Sequence, residues 1–202
     1  MKTNSFALAI ALVLTFFVVL STGHDAHAGM FEIGASGSYR RSVIDVESFD
    51  ESSSVTGSLS YYFSDATALE LSYTDGRNRR VLAQTATISH VTNMYYKTVG
   101  LDLVYTAGAQ GGVFRPYIKV GAQHILEKRI VDQYVDPTNG NWNTRTTEDP
   151  PATVPSAGAG FKIAITQALS LKAGVDAWTS RPLAQEPRTI DYMARIGLSW
   201  FL

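Results

Sequence analysis

Tyr192-Met193-Ala194-Arg195-Ile196-Gly197-Leu198-Ser199-Trp200-Phe201-Leu202 closes the chain. Side chains of an extended strand alternate between two faces. Tyr192, Ala194, Ile196, Leu198, Trp200 and Leu202 therefore share one face, and Met193, Arg195, Gly197, Ser199 and Phe201 share the other. The first face is almost wholly apolar. The second is small or charged. A strand built this way separates two different surroundings.

The same alternation recurs along the chain and predicts eight strands. The first, about Met30 to Arg41, turns Phe31, Ile33, Ala35 and Tyr39 to the apolar side. The second, about Ser52 to Phe63, does so with Val55, Leu59, Tyr61 and Phe63. Ser64-Asp65-Ala66-Thr67 reads as a tight turn into the third, which carries Leu69, Leu71 and Tyr73. The fourth runs about His90 to Tyr105 and the fifth about Val113 to Leu126. The sixth is about Ser156 to Ile165, the seventh about Leu169 to Trp178, and the terminal strand is the eighth. Connections alternate between short turns and long polar links, the longest from Glu127 to Pro155.

Which side faces the apolar surroundings decides the class. A soluble antiparallel barrel would turn its apolar face inward. Here the opposite face carries full charges, which a soluble core rarely tolerates. Aromatic residues gather near strand ends: Phe31, Phe63, Tyr105, Phe114 and Trp200 at one level, Tyr39, Tyr73, Tyr95 and Tyr192 at the other. Interfacial girdles have this distribution. The expectation is an all-β, eight-stranded, antiparallel, up-and-down transmembrane barrel, with short turns in the periplasm and long connections outside. It places the chain in the outer membrane of a Gram-negative bacterium.

The N-terminus fits export. Lys2 precedes an apolar run from Phe6 to Ser21, and Ala26-His27-Ala28 is a small-residue cleavage site before Gly29. Residues 1–28 are expected to be a secretory signal and 29–202 the barrel. The chain has no cysteine, so neither disulfides nor a lipid-modified cysteine contributes. A formal net charge of −1 argues against nucleic-acid binding.

The inward faces hold Glu32, Glu70, Asp102, Asp176 and Asp191 against Arg40, Lys119, Lys162, Lys172 and Arg195. Eight strands enclose a lumen that side chains fill, and isolated buried charges are costly. A cross-linked polar plug is expected, with a charge-gated conduit as the alternative. Lys97 and His124 fall on the lipid side but high enough to reach the outer interface.

Catalytic and metal signals are weak. The region after the signal has two histidines, His90 and His124, with no metal-ligand spacing. Ser89-His90 is a poor dyad, because neighbours on a strand point to opposite faces. Asp132, Asp136, Asn139 and Asn141 lack the spacing of a calcium loop. No cofactor is expected. The outer connections are rich in arginine, and guanidinium forks suit phosphate. Arg77, Arg79 and Arg80 are the candidate lipopolysaccharide contact, weighed against an ordinary solvated loop.

Several segments resemble the small outer-membrane β-barrel family that covers OmpW-like proteins and barrel domains of OmpA and OmpX type. Tyr61 to Leu71 is similar to the family's second hairpin, Phe114-Arg115-Pro116-Tyr117-Ile118-Lys119-Val120-Gly121-Ala122 to its fifth strand, and Ala157 to Phe161 with Leu169 to Asp176 to its next two strands. The resemblance implies reading of Tyr192, Trp200 and Leu202 by the barrel-assembly machinery, although Leu202 stands where members usually carry Phe or Trp. It implies chaperone-assisted passage through the periplasm, contact with outer-membrane lipid and lipopolysaccharide, and a monomer. The sequence ends at its eighth strand, so wall anchoring by an appended domain is not expected. A structural, envelope or surface-interaction role leads. A narrow OmpW-like channel for small hydrophobic solutes is second, and a lipid-modifying enzyme third.

Overall fold

Among the described residues, segments of alternating apolar and polar residues form strands, joined by short turns at Phe63–Ala66 and Ile165–Ala168. The computed structural model describes residues 30–43, 48–85, 88–108, 112–135, 141–179 and 190–202. The expected signal, with Ala26, Ala28 and Gly29, lies outside the described residues. The strands are β1 (Met30–Val43), β2 (Phe49–Tyr62), β3 (Thr67–Thr85), β4 (Ile88–Thr106), β5 (Phe114–Val135), β6 (Trp142–Asp149), β7 (Ala152–Ala164), β8 (Leu169–Thr179) and β9 (Ile190–Phe201). All pairs are antiparallel. Eight strands close a ring, β1 to β5 and then β7, β8 and β9, which returns to β1. The barrel is eight-stranded, as the sequence pattern predicts.

The ninth strand, β6, is a correction. The connection read as irregular from Glu127 to Pro155 is largely a hairpin: β5 continues to Val135, and β6 pairs with its upper half from Lys128↔Asp149 to Val135↔Trp142. The link between β3 and β4 is likewise strand almost to its tip, at Thr85 and Ile88. These upper segments stand above the apolar band, so the lipid-driven alternation stops although backbone pairing goes on.

The register fixes the geometry. Starting at Glu32, the paired positions run through Ser60, Glu70, Asp102, Gly121, Ser156 and Trp178 to Asp191 on β9. Glu32 itself pairs with Phe201, ten residues further along β9. With eight strands, a stagger of ten tilts them by roughly 40°. Each residue then climbs ~2.5 Å towards the outside.

Exposure is inverted relative to a soluble protein. Ile33, Leu59, Leu71, Ile118, Val120, Ile196 and Leu198 lie open on the outer wall. The largest fully buried side chains include Lys162, Glu32 and Asp102. Only a membrane makes this arrangement stable, because lipid takes the outer residues and pairing takes the inner ones. Phe31, Tyr39, Tyr105, Phe114, Tyr192 and Trp200 are exposed on the outer wall, where girdles belong.

Two close approaches explain glycines. A Cβ on Gly160 or Gly174 would overlap the Tyr117 hydroxyl, so these glycines let the Tyr117 ring lie across the lumen. Tyr117, Tyr62, Val104 and Val154 are buried inside. Val104 and Val154 are lone apolar residues on polar faces, too sparse to stand out in the sequence.

Candidate functional site

The interior is built in two ionic layers and an outer vestibule. In the lower layer Lys162, on β7, reaches across the lumen to Glu32 on β1. Its Nζ donates to Glu32 Oε1 and Oε2 at 2.8 and 2.6 Å and to the Tyr62 hydroxyl at 2.7 Å. Tyr62 in turn donates to Glu32 Oε2 at 2.6 Å. The ammonium also lies 5.4 and 5.7 Å from the ring centres of Tyr62 and Phe201, at cation–π range.

The upper layer centres on Lys119. Its Nζ lies 3.2 Å from Glu70, 3.4 Å from Asp102 and 3.1 Å from Asp176. Lys172 meets Glu70 at 2.5 Å, and Arg195 pairs with Asp176. Hydroxyls fill in around them: Ser156 donates to Asp102 at 2.9 Å and Ser60 to Glu70 at 3.3 Å. Between the strands at this level remains a space of only ≈ 30 Å³, room for about two waters.

Eight of the ten inward charges named from sequence thus meet in two clusters with balanced signs. Arg40 and Asp191 do not join them. Both stand near strand tops, above the plug, where the tilt carries them. Arg40 is exposed, its guanidinium 5.7 Å from the Tyr192 ring.

Above the plug the described residues enclose a vestibule of ≈ 930 Å³. Met94, Tyr96, Ile125, Trp178 and Met193 line it beside the pairs Arg80–Asp50 and Lys128–Asp149, at 3.0 and 3.1 Å. Its wall is incomplete. β1 and β9 are in register only from Glu32↔Phe201 to Gly37↔Ile196, although both strands continue upward. Gly37 stands ~12 Å above Glu32, so the separated tops span the outer half of an apolar band ~25 Å tall. Ser38, Tyr39 and Arg40 border the gap on one side and Ile190 to Ala194 on the other.

The three candidate lipopolysaccharide arginines divide between faces. All are in β3, not in a loop. Arg77 and Arg79 point outward. Arg80 is one residue out of phase, turns inward and pairs with Asp50, as does Asn78 at 3.0 Å. Arg129, one of the arginines of the outer connections but not part of the candidate contact, lies across β4 from Arg77. The two outward polar residues noted from sequence are held: Lys97 meets Glu127 at 3.0 Å, and His124 Nδ1 lies 2.8 Å from Thr153 Oγ1.

The remaining candidates are only partly described. The Ser89 side chain, Asp136 and Asn139 lie outside the described residues. His90 Nε2 is 3.6 Å from Asp132, which Thr92 also contacts at 2.7 Å. No group of three metal-ligating side chains occurs among the described residues. Tyr192, Trp200 and Leu202 are exposed on the lipid face, and the Leu202 amide donates to the Phe31 carbonyl at 2.8 Å.

Known proteins match this architecture. Among curated proteins none matches the chain in sequence. The N-terminal β-barrel domain of Pseudomonas aeruginosa OprF is 21% identical, with 87% of this chain and 98% of that one covered at a TM-score of 0.52. Neisserial surface protein A is 15% identical over 86% and 97%, with a TM-score of 0.56. The Pseudomonas aeruginosa outer membrane protein OprG is 13% identical over 89% and 98%, with a TM-score of 0.54. These likenesses establish the fold: an antiparallel outer-membrane β-barrel. The model of the OprF membrane domain matches residues 2–201, and the chain belongs to that family.

Proposed function

We propose that this protein is a non-conducting, non-enzymatic barrel with a structural or surface-interaction role in the envelope. The supporting observation is the double ionic plug. The acids and bases of the two clusters are equal in number, and the space beside the upper cluster is only ≈ 30 Å³. An ion entering this layer would have to displace a pair whose partner would then stand alone in a low-dielectric interior. Residues 1–28 act as a cleaved export signal, and the barrel is a monomer needing no cofactor. Its partners are outer-membrane lipid and lipopolysaccharide, with chaperones and the barrel-assembly machinery acting during biogenesis. The upper sheet of β3 to β6 is then the surface offered to the outside. Refolded Gly29–Leu202, shown to be folded by its heat-dependent gel mobility, is expected to leave a planar bilayer electrically silent. Discrete openings would replace this reading with a conduit.

The open seam favours a second reading, an OmpW-like passage for small hydrophobic solutes. A solute entering the vestibule would leave between β1 and β9 without crossing the plug. Trp178 lines the vestibule, so a chain keeping only this tryptophan (Trp142→Phe, Trp200→Phe) reports on entry. A short amphiphile brominated on its chain is expected to quench Trp178 at least twice as strongly as a chain keeping only Trp142. Equal quenching in both would remove the passage.

A further inference from the structure

We propose that Arg77 and Arg129, held on either side of Tyr95, form a site on the outer wall for the phosphate of an anionic outer-leaflet lipid. This goes beyond the plugged-barrel reading and is independent of whether the lumen conducts.

The register places Arg77, Tyr95 and Arg129 side by side on β3, β4 and β5. All face outward, and both arginines are exposed. Their guanidinium carbons lie 5.9 and 5.2 Å from the same ring centre. The ring orders two long side chains, which lowers the entropy lost when they close on a ligand. Arg77 spends one N–H on Asn93, at 3.4 Å.

Ion pairs stand on both faces of this sheet. Inside, Arg80 pairs with Asp50 and Lys128 with Asp149. Outside, Glu148 stands opposite Arg129 in register, yet neither Arg77 nor Arg129 forms an ion pair among the described residues. Just below, Lys97 and Glu127 satisfy one another at 3.0 Å. Arg79, also outward and without an ion pair among the described residues, lies by itself over the Phe49 ring at 5.9 Å, whereas Arg77 and Arg129 converge on one ring.

Height selects the ligand. The continuous apolar band ends here at Tyr73 and Val99, the Asp75, Lys97 and Glu127 row follows, and a separate apolar row of Phe49, Val81 and Val91 lies above the arginines. The arginines come next, ~10 Å above Tyr73 along the membrane normal. Headgroups occupy a layer about 5–8 Å deep outside the hydrocarbon, just below the arginine backbone, and long arginine side chains can reach down into it. A guanidinium can donate two parallel hydrogen bonds to a phosphate, and a lipid packed on Tyr73 and Val99 presents its phosphate at this level.

The test is lipid retention by the folded barrel in detergent, read by native mass spectrometry with diphosphoryl lipid A as probe. Arg77→Gln with Arg129→Gln is expected to weaken retention about tenfold or more. Arg145→Gln, which removes an exposed cation from the inner face of the upper sheet, should leave it unchanged. Dephosphorylated lipid A should bind the wild-type chain as weakly as lipid A binds the double variant. Unchanged retention in that variant, or an equal loss in Arg145→Gln, overturns the site. Displacement of lipid A by millimolar inorganic phosphate would make it a free-anion site and overturn the lipid assignment. Heat-dependent gel mobility confirms that each variant is folded.

Discussion

Replacing Lys119 by methionine is expected to cost about 3–5 kcal/mol of stability, the range found when one partner of a buried ion pair is removed. Lys119 is the ammonium that Glu70, Asp102 and Asp176 share, within 3.4 Å of each. Methionine keeps the stem and removes the charge. Lys172 still answers Glu70, and Arg195 still answers Asp176. Asp102 then has only the hydroxyl of Ser156, at 2.9 Å. Adding Asp102→Asn to Lys119→Met should therefore recover a substantial part of the loss. The measurement is the urea midpoint of refolded barrels in lipid vesicles. A shift equivalent to less than about 1 kcal/mol would match an exposed pair, and would mean that water reaches this layer freely.

The second large effect concerns the lower layer and has a different sign structure. Lys162→Met alone should destabilise by a comparable ~3–5 kcal/mol, because it leaves the Glu32 carboxylate buried with Tyr62 as its remaining donor. Combining it with Glu32→Gln should be milder than Lys162→Met alone. With both charges gone neither desolvation penalty remains, and a buried ion pair often does no better than neutral groups of similar volume. The two changes would then be strongly non-additive, as expected for groups in direct contact. If the double variant lost the sum of the two single losses, the pair would be contributing independently, and the account of the plug given above would fail.

The barrel could be read from sequence because lipid imposes a two-residue period on every strand it touches. Leu69, Leu71 and Tyr73 alternate with Glu70, Ser72 and Thr74. That pattern alone fixed the faces of Glu32, Lys119 and Lys162. It failed where lipid ends. Arg77 to Thr85 and Glu127 to Val135 read as loops, because water bathes both faces there and no alternation is selected. Partners were a separate problem. Glu32 and Lys162 meet across the lumen, and only the stagger and tilt of the closed ring bring them together. Arg80 was grouped with Arg77 by proximity in sequence. Counting by twos from Leu69 would have placed it on the opposite face. Arg129 was counted among the arginines of the outer connections but not grouped with Arg77, because their link runs through Tyr95 on a third strand, a relation that exists only once the register is known.

The short register between β1 and β9 also bears on how the barrel comes apart. Those strands hold the two ends of the described chain, so their union closes its longest loop, the most entropically demanding step in assembly. Yet the ladder from Glu32 to Gly37 is shorter than its neighbour between β1 and β2, which continues to Val43. The costliest closure thus rests on the fewest backbone bonds. Local opening is cheapest where few bonds must break. Amide exchange should accordingly start at the tops of β1 and β9 and travel downward, and the hoop should yield along this line before any other.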